Sequence, residues 1–600
     1  MKRQSPFRIF VVCIALAATV SGCSARGNAA IGKTTASAEA GDLSVQKKFD
    51  QYLNTFFKKN VTDNLVNLHY TLENPEAYGI KHQEESLGEI QLTDLSRAES
   101  EAEKEKKKLQ RFEHDKLSGK QQKTYDILSD YLKMQKQLAS YPYLQTILSP
   151  TSGIQAQLPI TFCEYRLKEK KDVEQYFQLI SQTENYFDSV MKYEKEQVKR
   201  GYFMADDSVD AVISQMEKFV ESGENNSMIE TFQGRIASIK QLTKKQQHNY
   251  VVRNKQLVLE KVLPAYEKLA ENLKALKGNG KNKKGLVYFK KGKDYYKALV
   301  RSKTGSDKSI KEMIKLTEEN IWECVFKTRQ ICKNNPSAYD EYTNKNIKPY
   351  TRSEPEEMLK KLKESAEKNY PKVPKVQCEI KYVHESMAED ASPAFYMIPA
   401  IDSYKDNVIY INKSQLDESN SLYPTLAHEG YPGHLYQTVY FASRKEAPVR
   451  YILDYPGYSE GWATYVESCS YDTIDIGKNK EDLARLNVLG MEYNLALCSR
   501  VDFGVNYEGW SRKKTLEYLK DFGIQRSTGN NIFNSIVCEP ANYLSYYIGY
   551  KEFMELKDYY KKNAGKKYNL KTYHKIILDA GPCSFDILKK CIDENLRMEE

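Results

Sequence analysis

The sequence lacks several features that would place it in a common functional class. Its 11 cysteines include no C-x-x-C pair, which argues against a zinc ribbon and against a redox motif. The net charge of +9 is spread over 600 residues. No nucleic-acid-binding fold is recognisable in the sequence, so we expect no nucleic-acid partner. Internal repeats are also absent. With 40% hydrophobic and 28% charged residues, the composition is that of a globular protein with a sizeable core.

The N-terminal apolar stretch is too short to span a bilayer comfortably. It follows the basic segment MKRQSPFR and ends in VSGC (20–23), which resembles a bacterial lipobox. We therefore expect residues 1–22 to be a signal peptide and Cys23 to carry lipid, which would anchor an extracytoplasmic protein to the bacterial cell membrane. A plain cleaved signal or a short anchor is the alternative. The small, polar residues of 23–46 predict a flexible tether.

The body of the chain, from residue 47 onward, is predicted to be mainly α (α+β). Apolar residues recur at helical spacing between Val173 and Val198, a stripe typical of core packing. The segment 146–165 contains Pro and Gly and predicts an extended loop. VIYI (408–411) predicts one strand of a small sheet just before the most distinctive motif.

The basic, glycine-containing stretch 276–286 is the clearest linker. It divides the body into an N-terminal helical region, 47–280, and a second region, 281–600, which holds the candidate catalytic residues. We expect the two regions to form one large bilobal unit. The nine cysteines after Cys23 are an odd number, and the sequence cannot pair them.

Two of the eight histidines lie in the stretch HEGYPGH, residues 428–434. The familiar zinc-peptidase pattern H-E-x-x-H places its histidines four apart, on one helix face. His428 and His434 are six apart, so a regular helix would separate them by about 120° around its axis and about 9 Å along it. Pro432 lacks the N–H that would bond the carbonyl of His428, and the neighbouring glycines permit unusual backbone angles. We therefore predict a bulge or break that turns both imidazoles toward one metal ion.

Catalytic zinc typically takes three protein ligands and keeps a fourth position for water. Glu460 opens a predicted helix after the motif and is placed to be the third ligand. Glu467, two turns on, is the fallback ligand or a partner to a ligand histidine. Glu429 projects to a different side from His428 and is placed to take a proton from water as the general base. We expect one zinc ion here and interpret the six other histidines as structural or surface residues.

HEGYPGH followed by EGWATYVE (460–467) resembles the bacterial "domain of unknown function 885" family, whose members carry HE-x-x-PGH and then EGWA-x-Y. The resemblance covers roughly residues 50–600, and its further matching stretches are LHYTLENPEAYGI (68–80), ASPAFYMIPAIDSYKDNVIYIN (391–412), RVDFG with a following Trp (500–510), CEPANYLSYYIGY (538–550) and DAGPCSFDIL (579–588). It implies a mostly helical, zinc-dependent, peptidase-like protein with a deep cleft between helical halves, and it assigns the metal ligands and the base to the residues named above.

The resemblance also implies roles for residues that the spacing alone does not single out. Tyr546 falls on the tyrosine expected to donate a hydrogen bond to the tetrahedral oxyanion, with Tyr547 close behind. Arg500 is either an anchor for a substrate carboxylate or a buried pair with Asp502 or another acid.

Two departures from the family pattern leave questions open. Asn506 stands where many members have His, so a proton-transfer role there is in doubt. PAN replaces PGQ at 540–542, which leaves the choice of tyrosine open.

Taken together, the sequence predicts a cell-surface, lipid-anchored zinc metallopeptidase that hydrolyses peptides. One alternative is a surface lipoprotein that binds peptides or solutes without chemistry, although an intact Glu429 beside both histidines argues against it. Another is a metal-dependent amidase acting on cell-wall peptides. The sequence does not choose the substrate, nor does it decide between exo- and endopeptidase cleavage.

Overall fold

The computed structural model describes residues 38–81, 83–150, 152–280, 282–343, 354–388, 392–415, 422–473 and 478–599. The predicted signal peptide, Cys23 and the first part of the predicted tether lie outside these residues. None of the described helices is both long enough and apolar enough to cross a membrane. The nine cysteines after Cys23 are all described, and all are free thiols.

The chain up to residue 280 is mainly helical. Its helices are α1 (Ala38–Val61), α2 (Leu65–Thr71), α3 (Leu92–Leu109), α4 (Gly119–Ala139), α5 (Ile154–Cys163), α6 (Lys170–Ile180), α7 (Thr183–Arg200), α8 (Asp206–Glu221), α9 (Ser227–Ala237), α10 (Lys244–Leu257) and α11 (Leu263–Leu276). Helix α1 begins inside the segment predicted as a tether. Gln46 on this helix donates a hydrogen bond to the carbonyl of Lys116, 3.2 Å away, so the packed body already includes the end of that segment.

The second part of the chain adds further helices and the sheet. The helices are α12 (Gly292–Thr304), α13 (Ile310–Asn334), α14 (Pro336–Thr343), α15 (Pro355–Asn369), α16 (Glu385–Ala388), α17 (Leu422–Glu429), α18 (His434–Ser443), α19 (Pro456–Ser470), α20 (Lys480–Phe503), α21 (Arg512–Asp521), α22 (Arg526–Cys538), α23 (Asn542–Ala564), α24 (Leu570–Ala580) and α25 (Phe585–Glu599). The strands are β1 (Gln377–Tyr382), β2 (Ala394–Met397) and β3 (Asp406–Ile411). The prediction of a mainly α fold with one small sheet is confirmed.

The three strands form a sheet in the order β1-β3-β2, with β1 parallel and β2 antiparallel to β3. The predicted strand VIYI is part of β3, the central strand. Phe395 on β2 lies opposite Tyr410 on β3, and their rings stack with centroids 4.9 Å apart. Strand β2 is therefore an edge strand, and its outer edge is left for contacts with the helices that follow.

The predicted apolar stripe packs in the core and spans two helices. Helix α6 ends at Ile180 and α7 begins at Thr183. Val173, Phe177 and Val190 are each at most 1% exposed. The burial of these side chains stabilises both helices against the rest of the N-terminal region.

The prediction of an extended loop over 146–165 is wrong for Ile154–Cys163, which form α5. Pro159 lies inside this helix and has no N–H for the carbonyl of Gln155, four residues earlier. That carbonyl instead accepts a hydrogen bond from the hydroxyl of Tyr266, 2.9 Å away. A tertiary partner thus replaces the missing helical bond, and no local signal could have shown it.

The largest apolar core combines the two ends of the chain. It brings Phe49 of α1 and Leu128 of α4 together with Trp462, Phe553 and Leu588 from the second region. A separate core lies among α5 to α11. The boundary predicted near residue 280 therefore does not separate two independent cores, because the first helices pack on the last ones.

Helices α19 and α23 cross with their backbones in direct contact. A Cβ atom on Gly461 would lie 2.4 Å from the carbonyl carbon of Gly549, and one on Gly549 would lie 2.3 Å from the carbonyl oxygen of Gly457. Real Cβ contacts are never so short, so only glycine fits at this crossing. Glu460 precedes Gly461 on α19, and Tyr546 lies one turn before Gly549 on α23, so the crossing helps to set the placement of both side chains.

Replacing Gly461 by Ala should lower the free energy of unfolding by about 1–3 kcal/mol, because the methyl group forces the two helices apart. The measurement is the midpoint of thermal or denaturant unfolding. Gly234→Ala is the matched control: Gly234 lies in α9 with nothing within 4 Å of an added Cβ, so this change should stabilise the protein slightly. Equal stability of both variants would contradict the close crossing.

Candidate metal centre

The helix that carries the HEGYPGH motif is broken between its two histidines, as predicted. Helix α17 ends at Glu429 and α18 begins at His434. The residues between them form a turn whose Tyr431–Pro432 peptide bond is cis. The indole N–H of Trp462 donates a hydrogen bond to the carbonyl of Pro432, 2.9 Å away. The turn is therefore held in place by helix α19.

Gly433 lets the chain fold back against the end of α17. A Cβ atom at this position would lie only 1.8 Å from the carbonyl oxygen of His428, so no side chain fits. Because of this close passage, His434 opens a new helix directly beside His428. The two imidazole rings lie with centroids 4.9 Å apart and at 79° to each other. Both rings can thus face a common point.

Glu460 completes a set of three metal-ligand side chains. Its Oε2 lies 3.6 Å from Nε2 of His428 and 3.5 Å from Nε2 of His434. Zinc bound tetrahedrally at its usual bond lengths holds such atoms roughly 3.3 Å apart. Among the residues that the structure describes, this is the group of His, Cys, Asp or Glu that can share one ion. The three side chains therefore fit a zinc ion.

Glu467 orients one of the two imidazoles. Its Oε2 lies 2.9 Å from Nδ1 of His428. When Nδ1 donates its proton to this carboxylate, Nε2 is left with a lone pair directed at the shared point. Of the two roles predicted for Glu467, the geometry fits the partner of a ligand histidine.

Acidic groups outnumber cations at this centre. Burial would lower the pKa of His428, but the carboxylates of Glu460, Glu467 and Glu429 outweigh it and raise that pKa well above its usual value. Burial would raise the pKa of Glu460, yet His434 and His428 pull it far below its usual range. Buried charges need a partner or a metal. A divalent cation between these groups would balance the excess of carboxylates.

Glu429 lines the cleft next to the ligand set and is held from the sheet. Its Oε2 accepts a hydrogen bond from the backbone N–H of Tyr396 on the outer edge of β2, 3.0 Å away. Burial raises the pKa of Glu429, although the neighbouring histidines oppose this shift. A carboxylate that is fixed in position and has a raised pKa suits proton transfer.

Tyr546 on α23 also lines this cleft, with its ring centroid 6.2 Å from that of His428. Tyr547, the next residue, points into an apolar core that includes Ile321 and Leu497. The expected contact between Tyr547 and substrate is therefore not met, because consecutive helix residues face different directions.

Arg500 is likewise directed away from the cleft. Its guanidinium forms ion pairs with Glu318, at 2.7 Å, and with Glu508, at 3.0 Å, and lies over the ring of Trp510. The expectation of an anchor for a substrate carboxylate is not met, since this guanidinium is already paired. The alternative of a buried ion pair describes the arrangement, with glutamates instead of Asp502 as its partners.

Asp502 and Asn506 anchor the start of the helix that carries Tyr546. Asp502 accepts hydrogen bonds from the N–H of Ala541, at 2.8 Å, and from Nδ2 of Asn506, at 3.1 Å. Oδ1 of Asn506 accepts the N–H of Leu286. Both residues are buried, and Asn506 serves this network instead of facing the cleft.

The cleft beside the ligand set has a volume of about 870 Å³. One wall comes from α1 to α4 and the other from β2, α17, α18, α19 and α23. The deep cleft implied by the sequence is thus present, with the three ligand residues on one of its walls.

Sequence reasoning missed two contributors to the site. The backbone N–H of Tyr396 leaves no trace in the sequence, because any residue of an edge strand offers the same donor. Trp462 did have a signal, since it stands inside the EGWA motif two residues after Glu460.

The family of bacterial proteins of unknown function DUF885 matches residues 75–592. The chain belongs to this family. The match includes every residue of the ligand set, together with Glu429 and Tyr546. Comparison with curated proteins gives no match.

Two solved structures share the fold of this DUF885 protein. The putative lipoprotein from Colwellia psychrerythraea has a TM-score of 0.78 at 18% identity, and the match covers 94% of this chain and 100% of that one. A putative lipoprotein of unknown function from Shewanella oneidensis has a TM-score of 0.56 at 16% identity, with the same coverage. At these identities the comparison shows the fold alone.

Glu467→Gln should weaken zinc binding by about 10–100-fold, because the charged acceptor that orients His428 and makes its Nε2 more basic becomes a neutral amide. The measurement is zinc affinity by competition with a chromogenic chelator. The control is Glu446→Gln, which removes another partly buried carboxylate, paired with Lys120 outside the ligand set. Unchanged affinity in Glu467→Gln, or an equal loss in the control, would contradict this role.

Proposed function

We propose that this protein is a zinc-dependent hydrolase that cleaves peptides. The observation that carries the proposal is the placement of Glu429: a buried carboxylate, fixed by the N–H of Tyr396, beside three side chains that fit one zinc ion. A general base next to a metal and inside a cleft is the arrangement that hydrolysis of an amide needs.

Each residue around the ligand set has a separate role in the proposed reaction. When bound, a zinc ion supplies Lewis acidity, which polarises a carbonyl group and makes water more acidic. Glu429 takes the proton of the attacking water and then delivers it to the leaving amine. The hydroxyl of Tyr546 donates a hydrogen bond to the carbonyl oxygen as negative charge develops on it. His428, His434 and Glu460 hold the metal, and Glu467 keeps His428 in position.

The cleft favours an extended substrate. Its volume of about 870 Å³ is at the upper end of the usual range for ligand sites. The outer edge of β2, a row of backbone groups, forms part of its wall. A short peptide segment fits such a cleft better than a compact metabolite does.

We also propose that lipid on Cys23 anchors the protein to the outer face of the cell membrane. The supporting observation in this chain is the VSGC sequence after a basic and apolar N-terminus. The proteins from Colwellia psychrerythraea and Shewanella oneidensis that share its fold are both described as putative lipoproteins.

Glu429→Gln should keep one zinc ion per chain and lose roughly 10²–10⁴-fold in peptide hydrolysis, because the base is gone while the ligands remain. Zinc content by mass spectrometry and cleavage of a mixed peptide library provide the two readouts. In the same assay a chelator should abolish cleavage by the unmodified protein, and added zinc should restore it.

Two controls separate the base from the ligands. His434→Ala should lose both zinc and activity, whereas Glu446→Gln should keep both. Full hydrolysis by Glu429→Gln would refute the role of the base, and zinc without cleavage of any peptide by the unmodified protein would refute the peptidase.

Cys23→Ser should release the protein from the membrane fraction and abolish its labelling by radioactive palmitate in growing bacteria. Cys13→Ser, inside the predicted signal peptide, is the matched control and should change neither result. Continued labelling of Cys23→Ser would show that the anchor lies elsewhere.

A further inference from the structure

The wall of the cleft formed by the N-terminal helices carries the acidic residues Asp63, Asp94, Glu101 and Glu105. Two of them are paired: Glu101 lies 2.5 Å from Lys104, and Glu105 lies 2.8 Å from Lys108 and 3.6 Å from Lys59. These ion pairs offset part of the negative charge of this wall, so a carboxylate without a partner is the stronger candidate to bind a cation.

Asp454 adds a carboxylate on the opposite wall. It lies just before α19, the helix that carries Glu460, and lines the cleft. Its side chain is exposed to the space inside the cleft. Within the described part of the chain, it makes no hydrogen bond and no ion pair. Asp454 is thus an unpaired charge that faces the space where substrate would lie.

The charges near Asp454 do not neutralise it. Burial by the surrounding walls raises the pKa of Asp454, the charge of Lys303 lowers it, and that of Glu460 raises it again. Lys303 acts from a distance, since the two side chains form no ion pair. Asp454 lines the same cleft as the ligand set and lies two residues before Pro456, the first residue of the helix that carries Glu460.

A bound zinc ion would leave this charge uncompensated. Its two positive charges are met by the carboxylates of Glu460, Glu467 and Glu429, which already lie at the ligand set. The charge of Asp454 therefore stays without a partner in the loaded cleft. A cationic group of the substrate would balance it.

We propose that Asp454 is a specificity-determining residue that binds a cationic group of the substrate in the cleft that holds the ligand set. The group is an ammonium or guanidinium, either the amino terminus of a peptide or the side chain of Lys or Arg. This inference rests on the proposed function for its substrate class, but the binding that it describes does not require turnover.

The first test measures binding alone, on metal-free full-length protein, by fluorescence anisotropy of peptides labelled at their C-terminus. Three peptides are compared: penta-alanine with a free amino terminus, its acetylated form, and an acetylated form with Lys at the central position. A norleucine peptide of the same length controls for the bulk of the lysine side chain. The cationic peptides should bind about five- to tenfold more tightly than the neutral ones, and high salt should reduce this preference.

Asp454→Asn should abolish the preference and leave the binding of neutral peptides unchanged. The matched control is Asp340→Asn, which removes one exposed negative charge from α14, away from the cleft, and should keep the preference. Asp454→Lys should reverse the charge preference, so that a peptide with a central Glu binds more tightly than a peptide with a central Lys. Thermal unfolding of each variant checks that the fold is intact.

The peptides also distinguish the two sources of the cation. A preference that acetylation removes assigns the site to the amino terminus, and a preference of Lys over norleucine assigns it to a side chain. No preference in the unmodified protein, or the same preference in Asp454→Asn as in Asp340→Asn, would overturn the proposal.

A second readout separates this inference from the proposed function. With zinc bound, Asp454→Asn should raise KM for the preferred cationic peptide about five- to tenfold with little change in kcat. Binding that depends on Asp454, without hydrolysis of any peptide, would support the cation site while refuting the peptidase.

Discussion

At Gly433 the backbone packs directly against the C-terminal end of helix α17. A Cβ atom at this position would lie 1.8 Å from the carbonyl oxygen of His428. On an unbroken helix, residues six apart point about 120° away from each other, and no single ion could reach both imidazoles. The close passage absorbs the two extra residues of the motif. It lets His434 begin a second helix beside the first, and the fit of Glu460 to both rings depends on it.

Three further contacts hold this arrangement in place. Trp462 donates a hydrogen bond to the turn itself, so the helix that supplies Glu460 also fixes the break. The glycine crossing of α19 and α23 then sets how far Tyr546 lies from the ligand set. Asp502 anchors the start of α23 through the N–H of Ala541. Helix α19 thus supports Glu460, the turn before His434 and the helix of Tyr546, whereas Glu429 is held from strand β2.

Much of the fold and of the ligand set could be predicted from the sequence, because the signals that indicate them are local. The strand VIYI, the apolar stripe of α6 and α7, and the break in the HEGYPGH motif all follow from side-chain type and spacing. The helical α5 could not be predicted, since Tyr266 supplies the bond that Pro159 removes. The surroundings of Arg500 and of the unpaired Asp454 could not be predicted either. Whether such a charged side chain forms an ion pair or faces a cleft depends on tertiary packing, which the spacing of residues along the chain does not determine.

The most direct test of the account is a crystal structure of the zinc-loaded protein with anomalous data collected at the zinc edge. We expect one anomalous peak, bonded to Nε2 of His428, Nε2 of His434 and a carboxylate oxygen of Glu460, with Glu429 adjacent but not bonded. A peak that contacts only one of the histidines, or zinc bound elsewhere with this position vacant, would contradict it.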